Sequence, residues 1–268
     1  MREPRSTPPF GQPPLLLVQD LQMSFGGLMA LNNFHLELPT GELHGLIGPN
    51  GAGKTTVFNL LTGFYQPTAG EMIFAGTSLN GLPPQAICRL GIARTFQNIR
   101  LFEDLTVLDN VLVPLHGRRA TGFWQTVLRL PGFWQSERQQ QALARELLAR
   151  LALEPYAHLP AGRLPYGQQR RLEIARALAA RPRLLLLDEP AAGLNPRESA
   201  DLMALLQELR QDYQLTILLI EHNMQFVMHI CEQLTVLDHG LIIAQGPPAA
   251  IRHHPQVIRA YLGEAAHA

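Results

Sequence analysis

The sequence predicts an α/β protein: a core of mixed sheet flanked by helices, with an antiparallel β subdomain and an inserted helical subdomain. Three observations lead there. Residues Gly48 to Thr56, Gly-Pro-Asn-Gly-Ala-Gly-Lys-Thr-Thr, have the phosphate-loop spacing, set between an apolar strand and an apolar helical face. Leu184 to Leu187 is an unbroken apolar run closed by Asp188-Glu189, as expected of a parallel strand buried on both faces. From about Asn98 to Leu164 strand signals vanish and helical periodicity takes over.

In chain order, Met1 to Pro14 is rich in proline and polar residues and reads as a disordered tail, not a secretory signal. The first part of the core, 15–97, opens with strands at Leu15–Phe25 and Leu31–Leu38 joined through Gly26-Gly27. Leu43–Ile47 is a buried strand, and the helix after the phosphate loop ends near Gly63. A short strand at Glu71–Ala75, a helix started by Pro83-Pro84 and a strand at Ile92–Phe96 lead to Gln97. In the helical subdomain, 98–164, helices are expected at Val107–Leu115 and Leu143–Leu153. Trp124, Phe133 and Trp134 are read either as a small satellite core or as an exposed contact surface.

The second part of the core, 165–247, has helices at Gln168–Ala180, Pro196–Gln211 and Asn223–Cys231 around the strands Leu184–Leu187 and Leu215–Ile220. Asp238-His239-Gly240 marks a hairpin between Leu234–Asp238 and Leu241–Gln245, and 248–268 forms short helices. The counts of Lys+Arg and Asp+Glu are both 22, so net charge is zero and nothing points to nucleic acid. Cys88 and Cys231 have no metal or redox spacing and are expected in the core of a reduced, cytosolic protein. No apolar run approaches the ~20 residues of a membrane span.

The chemistry follows from residue types. Gly48, Gly51 and Gly53 let backbone N–H groups converge on an anion at the N-terminus of the helix that starts near Lys54. Lys54 supplies charge to the β- and γ-phosphates, and Thr55 supplies a hydroxyl for Mg²⁺. Asn50 and Thr56 belong to the same loop. Asp188, at a buried strand tip, can hold Mg²⁺ directly or through water, while Glu189 points elsewhere and can polarise the attacking water. A nucleoside triphosphate is the expected ligand.

The segment Leu164-Pro165-Tyr166-Gly167-Gln168-Gln169-Arg170-Arg171, running into a helix, resembles the signature of ATP-binding-cassette ATPases. The order of phosphate loop, Gln97, signature, Asp188-Glu189 and His222 is similar to that family from Leu15 to Leu262. The resemblance implies that Gln97 contacts Mg²⁺ and water and couples to a membrane subunit, and that His222 contacts the γ-phosphate. It also implies that Phe25 stacks on adenine and that Pro165, Tyr166, Gly167 and Gln168 reach across to a partner's nucleotide. Position 165 is proline where the wider family has a serine that donates to the partner's γ-phosphate. Asn195, in the loop after the acidic pair, stands where many relatives have Asp.

Arg94-Thr95-Phe96-Gln97, Ala191-Ala192-Gly193-Leu194-Asn195-Pro196 and Ile258-Arg259-Ala260-Tyr261-Leu262-Gly263 are similar to the LivG-type subunit of branched-chain amino-acid importers. The Gly117–Ser136 insertion and Gln168-Gln169 favour that type over the lipopolysaccharide-export type. The resemblance implies an ATPase bound peripherally at the cytoplasmic face of the inner membrane, using ATP and Mg²⁺. It implies a second ATPase subunit (LivF-like, or a homodimer), two permease subunits and, indirectly, a periplasmic binding protein. A urea importer, a lipopolysaccharide exporter and a non-transport cassette ATPase remain as alternatives.

Overall fold

The computed structural model describes residues 13–117 and 131–265. The chain opens with a hairpin, β1 (Leu16–Phe25) and β2 (Leu28–Leu38), turned at Gly26-Gly27 with Gly26 at φ 59°. β3 (Leu43–Ile47) runs into the phosphate loop and α1 (Lys54–Leu61). β4 (Ala69–Phe74), a short β5 (Thr77–Ser78), α2 (Pro84–Leu90) and β6 (Ile92–Arg94) follow. Next come α3 (Val107–Gly117), α4 (Pro131–Arg150) and α5 (Tyr166–Ala179). β7 (Leu184–Asp188), α6 (Pro196–Asp212), β8 (Thr216–Ile220) and α7 (Met224–Ile230) alternate. The hairpin β9 (Gln233–Asp238) and β10 (Leu241–Gly246) precedes α8 (Pro248–Ile251) and α9 (Pro255–Ala265).

Two sheets result. The larger has the order β10-β9-β3-β8-β7-β6, parallel except for β10. The smaller, β2-β1-β4-β5, is antiparallel throughout. Period-two alternation of apolar strands divides the interior. Leu184, Leu186, Leu218 and Ile220 face a cluster shared with the antiparallel sheet and α1. Leu185, Leu187, Ile217 and Leu219 face a second cluster shared with α3, α4, α5 and α6. Each such side chain is fully buried or nearly so, a contribution of about 1.5–3 kcal/mol before entropy. Strand tips of β3, β7 and β8 therefore end together on a rigid platform, and the site sits on that edge.

The structure departs from the sequence reading in four places. The strand expected at Ile92–Phe96 ends at Arg94. The cause is tertiary: the Phe96 N–H donates to Glu173 Oε1 (3.1 Å) and the Phe96 carbonyl accepts from Arg170 (2.8 Å), so side chains replace the ladder. The helix expected at Leu143–Leu153 starts at Pro131 and stops at Arg150, where Ala152 turns left-handed at φ 56°. Cys88 is exposed on α2 rather than buried, whereas Cys231 is buried as expected. The two-residue strand β5 carried no readable signal. The reading of Met1–Pro14 falls largely outside the described residues, as do Trp124 and the side chains of Phe133 and Trp134.

Candidate active site

The phosphate loop is shaped by contacts that only glycine permits. Gly48 has φ 149°, and a Cβ there would lie 2.0 Å from the Leu237 carbonyl oxygen. Gly53, at φ 106°, would put a Cβ 2.8 Å from the carbonyl oxygen of Ala30 and 2.9 Å from Leu31. The loop is thus pressed against β9 on one side and the β1–β2 hairpin on the other. It hands over directly to α1, whose first-turn N–H groups have no capping side chain. The Lys54 side chain is 6% exposed and folds back to the carbonyls of Gly48 (2.6 Å) and Pro49 (2.7 Å). Its charge is fixed over the loop it serves.

A cleft of about 500 Å³ opens above this loop, lined by Asn50, Gly51, Gly53, Lys54, Thr55 and Thr56. Gln97, Glu189 and His222 close its far wall, with Leu28–Ala30 and His239 at the rim. Three separate strand ends bring these groups together. Glu189 follows β7, with φ 48°, a left-handed backbone that costs a non-glycine residue. Its N–H is tied to the Ile220 carbonyl at 2.9 Å, which fixes the turn. The carboxylate is bridged: Gln97 Nε2 donates to Oε2 (2.8 Å), and His222 Nε2 meets Oε1 at 2.5 Å. The Glu189 side chain is 13% exposed and that of His222 40%, so the bridge sits at the water boundary. A carboxylate so held can order and polarise a water molecule.

Asp188, the last residue of β7, is engaged on the side of α1. It is 4% exposed and pairs with Arg94 through Oδ2 at 2.7 Å. Arg94 also donates to Asn59 Oδ1 (2.7 Å) on α1, and its guanidinium lies over the rings of Phe58 and Phe96. Among the described residues no group of three or more His, Cys, Asp or Glu side chains is arranged to hold a metal.

Phe25, expected to stack on adenine, and Pro165 to Gln168, expected at a partner's nucleotide, are not among the residues lining this cleft. Phe25 is 41% exposed at the end of β1, edge-on to Tyr65 at 5.2 Å. Pro165, Gly167 and Gln168 line a separate pocket of about 240 Å³ with Leu194, Glu198 and Asp201. Pro165 is the N-cap of α5 at φ −54°, with its carbonyl accepting from Gln168 and Gln169 N–H groups (2.9 and 3.0 Å). Pro165 thus stands at the entry to α5, one position before its first turn. Asn195 and Glu198 form a capping box at the start of α6.

Sequence reasoning missed four buried charges around the site. Glu221, 3% exposed, accepts the N–H groups of Ala191 (2.7 Å), His222 (3.1 Å) and Asn223 (3.4 Å), joining both sides of Glu189. Burial pushes its carboxyl up, and those N–H groups oppose the rise. An acid at the end of an apolar strand was its readable signal, the same one that marked Asp188. Arg94 and the Arg170–Glu173 pair gave a weaker one: charges inside otherwise apolar faces.

Comparisons agree with this geometry. A family model described as ABC transporter matches residues 31–192, and one described as branched-chain amino acid ATP-binding cassette transporter matches 242–267. The chain is 51% identical over 252 residues to the high-affinity branched-chain amino acid transport ATP-binding protein LivG of Escherichia coli (strain K12). It is 50% identical over 252 residues to BraF, of the same description, from Pseudomonas aeruginosa. Each alignment covers 94% of this chain and 99% of the relative. The crystal structure of the ADP conformation of MJ1267, an ATP-binding cassette of an ABC transporter, superposes with TM-score 0.81 at 29% identity, covering 93% of this chain and 98% of that one. The dimeric post-hydrolysis state of MJ0796 bound to ADP and Pi gives TM-score 0.74 at 26% identity, covering 87% of this chain and 98% of that one. The chain belongs to the ABC transporter family, as an ATP-hydrolysing cassette among its branched-chain amino acid transport ATP-binding proteins.

Proposed function

We propose that this cassette drives import of branched-chain amino acids and that Glu189 is the general base of ATP hydrolysis. The observation that carries the catalytic part is the Glu189 carboxylate, bridged by Gln97 and His222 across the cleft from the phosphate loop. The loop N–H groups and Lys54 bind the β- and γ-phosphates, with Asn50, Gly51 and Thr56 completing the cradle. Glu189 takes a proton from water as it attacks, His222 orients the carboxylate and meets the γ-phosphate, and Gln97 places the water. Thr55, Asp188 and Gln97 are the residues that would hold Mg²⁺, which when bound neutralises phosphate charge. Phe25 offers an exposed ring for the base.

The partners follow from what the cleft lacks. Pro165 to Gln168 lie apart from the chain's own phosphate loop, so they serve a second cassette's nucleotide, and MJ0796 is dimeric. We infer a pairing with a second ATPase, LivF-like or identical. An apolar groove of about 410 Å³, lined by Phe64, Phe96, Phe102, Val113 and Pro114, runs beside Gln97 and is offered to a permease. Among the described residues no helix is long and apolar enough to cross a membrane. Attachment to the cytoplasmic face through two permease subunits, fed by a periplasmic binding protein, is consistent with that.

The test is uptake of radiolabelled leucine in cells deleted for this chain, restored by the wild type and by variants. Glu189→Gln should abolish uptake and cut turnover by about 10²-fold or more while ATP still binds. Lys54→Ala should lose ATP binding itself. Near-normal turnover in Glu189→Gln removes it as base. Unaltered leucine uptake in the deletion with lost urea uptake overturns the cargo.

A further inference from the structure

We propose that the buried Arg170–Glu173 pair is a positioning device that sets Gln97, and through it Glu189, from the helix bearing the signature residues. The proposal rests on the reading of Glu189 as the base.

The pair is unusual first for where it lies. Arg170 and Glu173 sit one turn apart on α5, each side chain 1% exposed, with Nη1 and Oε2 3.0 Å apart. Neighbours on the same helix, Leu172, Ile174 and Ala175, are apolar and fully buried. Placing two charges there is expensive, and mutual attraction seldom repays the desolvation. Burial pushes the Glu173 carboxyl up, and the Phe96 N–H and Arg170 oppose it. Apolar side chains would fill the same space at no such cost, so packing alone gives no reason for the pair.

The bonds it makes show what the charges do. Glu173 Oε1 accepts the Phe96 N–H at 3.1 Å. Arg170 Nη1 donates to the Phe96 carbonyl at 2.8 Å, and Nη2 to the Gln97 carbonyl at 2.9 Å. Three polar groups of one two-residue backbone segment are therefore gripped by two side chains of α5. That is the segment where β6 stops pairing. No strand holds it; the ion pair does. Hydrogen bonds to charged groups are about twice as strong as neutral ones, and three of them fix the direction in which Gln97 leaves the sheet.

Direction matters because Gln97 spends its amide on Glu189, at 2.8 Å, and Glu189 meets His222 with its other oxygen. At the opposite end, Arg170 Nη2 is 3.1 Å from the Tyr166 hydroxyl, in the first turn of α5. The Tyr166 ring abuts Gly193, where a Cβ would lie 3.0 Å from Cε1, in the loop that follows Glu189. A continuous series of contacts thus runs from Tyr166 through Arg170 and Gln97 to Glu189 and His222. The signature end of α5 faces a partner's nucleotide in the proposed dimer, so a shift of α5 there moves Gln97 here. This links engagement of one site to the geometry of the water-activating carboxylate in the other.

The experiment is a mutant cycle on the full-length chain in its transporter complex. Arg170→Met/Glu173→Leu removes both charges together and avoids stranding either one. Its melting temperature should fall, because the Phe96 N–H and the Phe96 and Gln97 carbonyls lose their partners, while nucleotide affinity stays within about twofold, since the phosphate loop is untouched. Turnover should fall about tenfold or more, on the scale of a misplaced catalytic group. In a Gln97→Ala background, which lowers turnover by itself, the same double replacement should add no further loss, because coupled residues are not additive. Wild-type turnover in the charge-free variant, or losses that multiply with Gln97→Ala, would overturn the proposal. Should the charge-free variant misfold, Arg170→Lys decides. A lysine keeps the charge but cannot grip both carbonyls and Glu173 with a planar fork, so turnover must drop. Wild-type turnover in Arg170→Lys also overturns it. Glu189→Gln, assayed alongside, tests the base assignment separately.

Discussion

Replacing Arg94 by methionine isolates a buried ion pair beside the nucleotide cleft. Both side chains of the Arg94–Asp188 pair are 6% exposed, and the Nη2–Oδ2 distance is 2.7 Å. Methionine retains apolar contact with Phe58 and Phe96, the rings that flank the guanidinium. What it removes is the partner of a buried carboxylate and the bond from Arg94 to Asn59 on α1. Leaving one member of a buried pair uncompensated costs about 3–5 kcal/mol. In a chain of this size each kcal/mol shifts the melting temperature by about 2–4 °C, so the drop should be roughly 6–20 °C. Thermal unfolding without nucleotide or Mg²⁺ measures it. Arg94→Met/Asp188→Leu should recover most of the loss, because the stranded charge is gone. A single-variant loss under about 1 kcal/mol, the value of a surface pair, would refute the reasoning and mean that Asp188 is solvated in solution.

Two further outcomes are expected. Pro165→Ser should strengthen the ATP-bound dimer by about 1.5–3 kcal/mol through a restored donor, measured as ATP-dependent association in a Glu189→Gln background. A gain equal with and without ATP would instead mark simple capping of α5, which Pro165 leaves without a side-chain cap. With only two cysteines in the chain, a thiol reagent should label Cys88 rapidly in the native protein and spare Cys231, whose thiol is buried and raised by desolvation. Because Cys88 lines the apolar groove, bound permease should slow its labelling; equal labelling of both thiols would contradict the fold around α7.

How much of this was legible in sequence depended on whether the signal was local. Leu184–Leu187 and Leu215–Ile220 announce buried strands because the same residues that form the strand also fill both its faces. The phosphate loop is equally local: Gly48 and Gly53 are needed where the chain passes 2.0 and 2.8 Å from the carbonyls of Leu237 and Ala30. His222 and Gln97 were placed by resemblance alone, and their shared hold on Glu189 could not be read from spacing, since 97, 189 and 222 meet only through three strand ends. The misreading of Ile92–Phe96 has the same origin. Thr95 and Phe96 have strand-like side chains, yet the backbone of Phe96 is claimed by Arg170 and Glu173, more than 70 positions away.

Arg94, Arg170, Glu173 and Glu221 share one property: each breaks the local pattern by setting a charge in an apolar neighbourhood. Each then spends that charge on a neighbour of the cleft. Arg94 holds Asp188, Arg170 and Glu173 hold the backbone of Phe96 and Gln97, and Glu221 holds the N–H groups of Ala191 and His222. Stability alone would favour apolar residues at such positions. Violations of local rules are expected where a structure is committed to a site, and here they ring Asp188, Glu189, Gln97 and His222. Those breaks in pattern are therefore the part of the sequence that carries the second layer of the active site, although their partners become visible only when the strands are brought together.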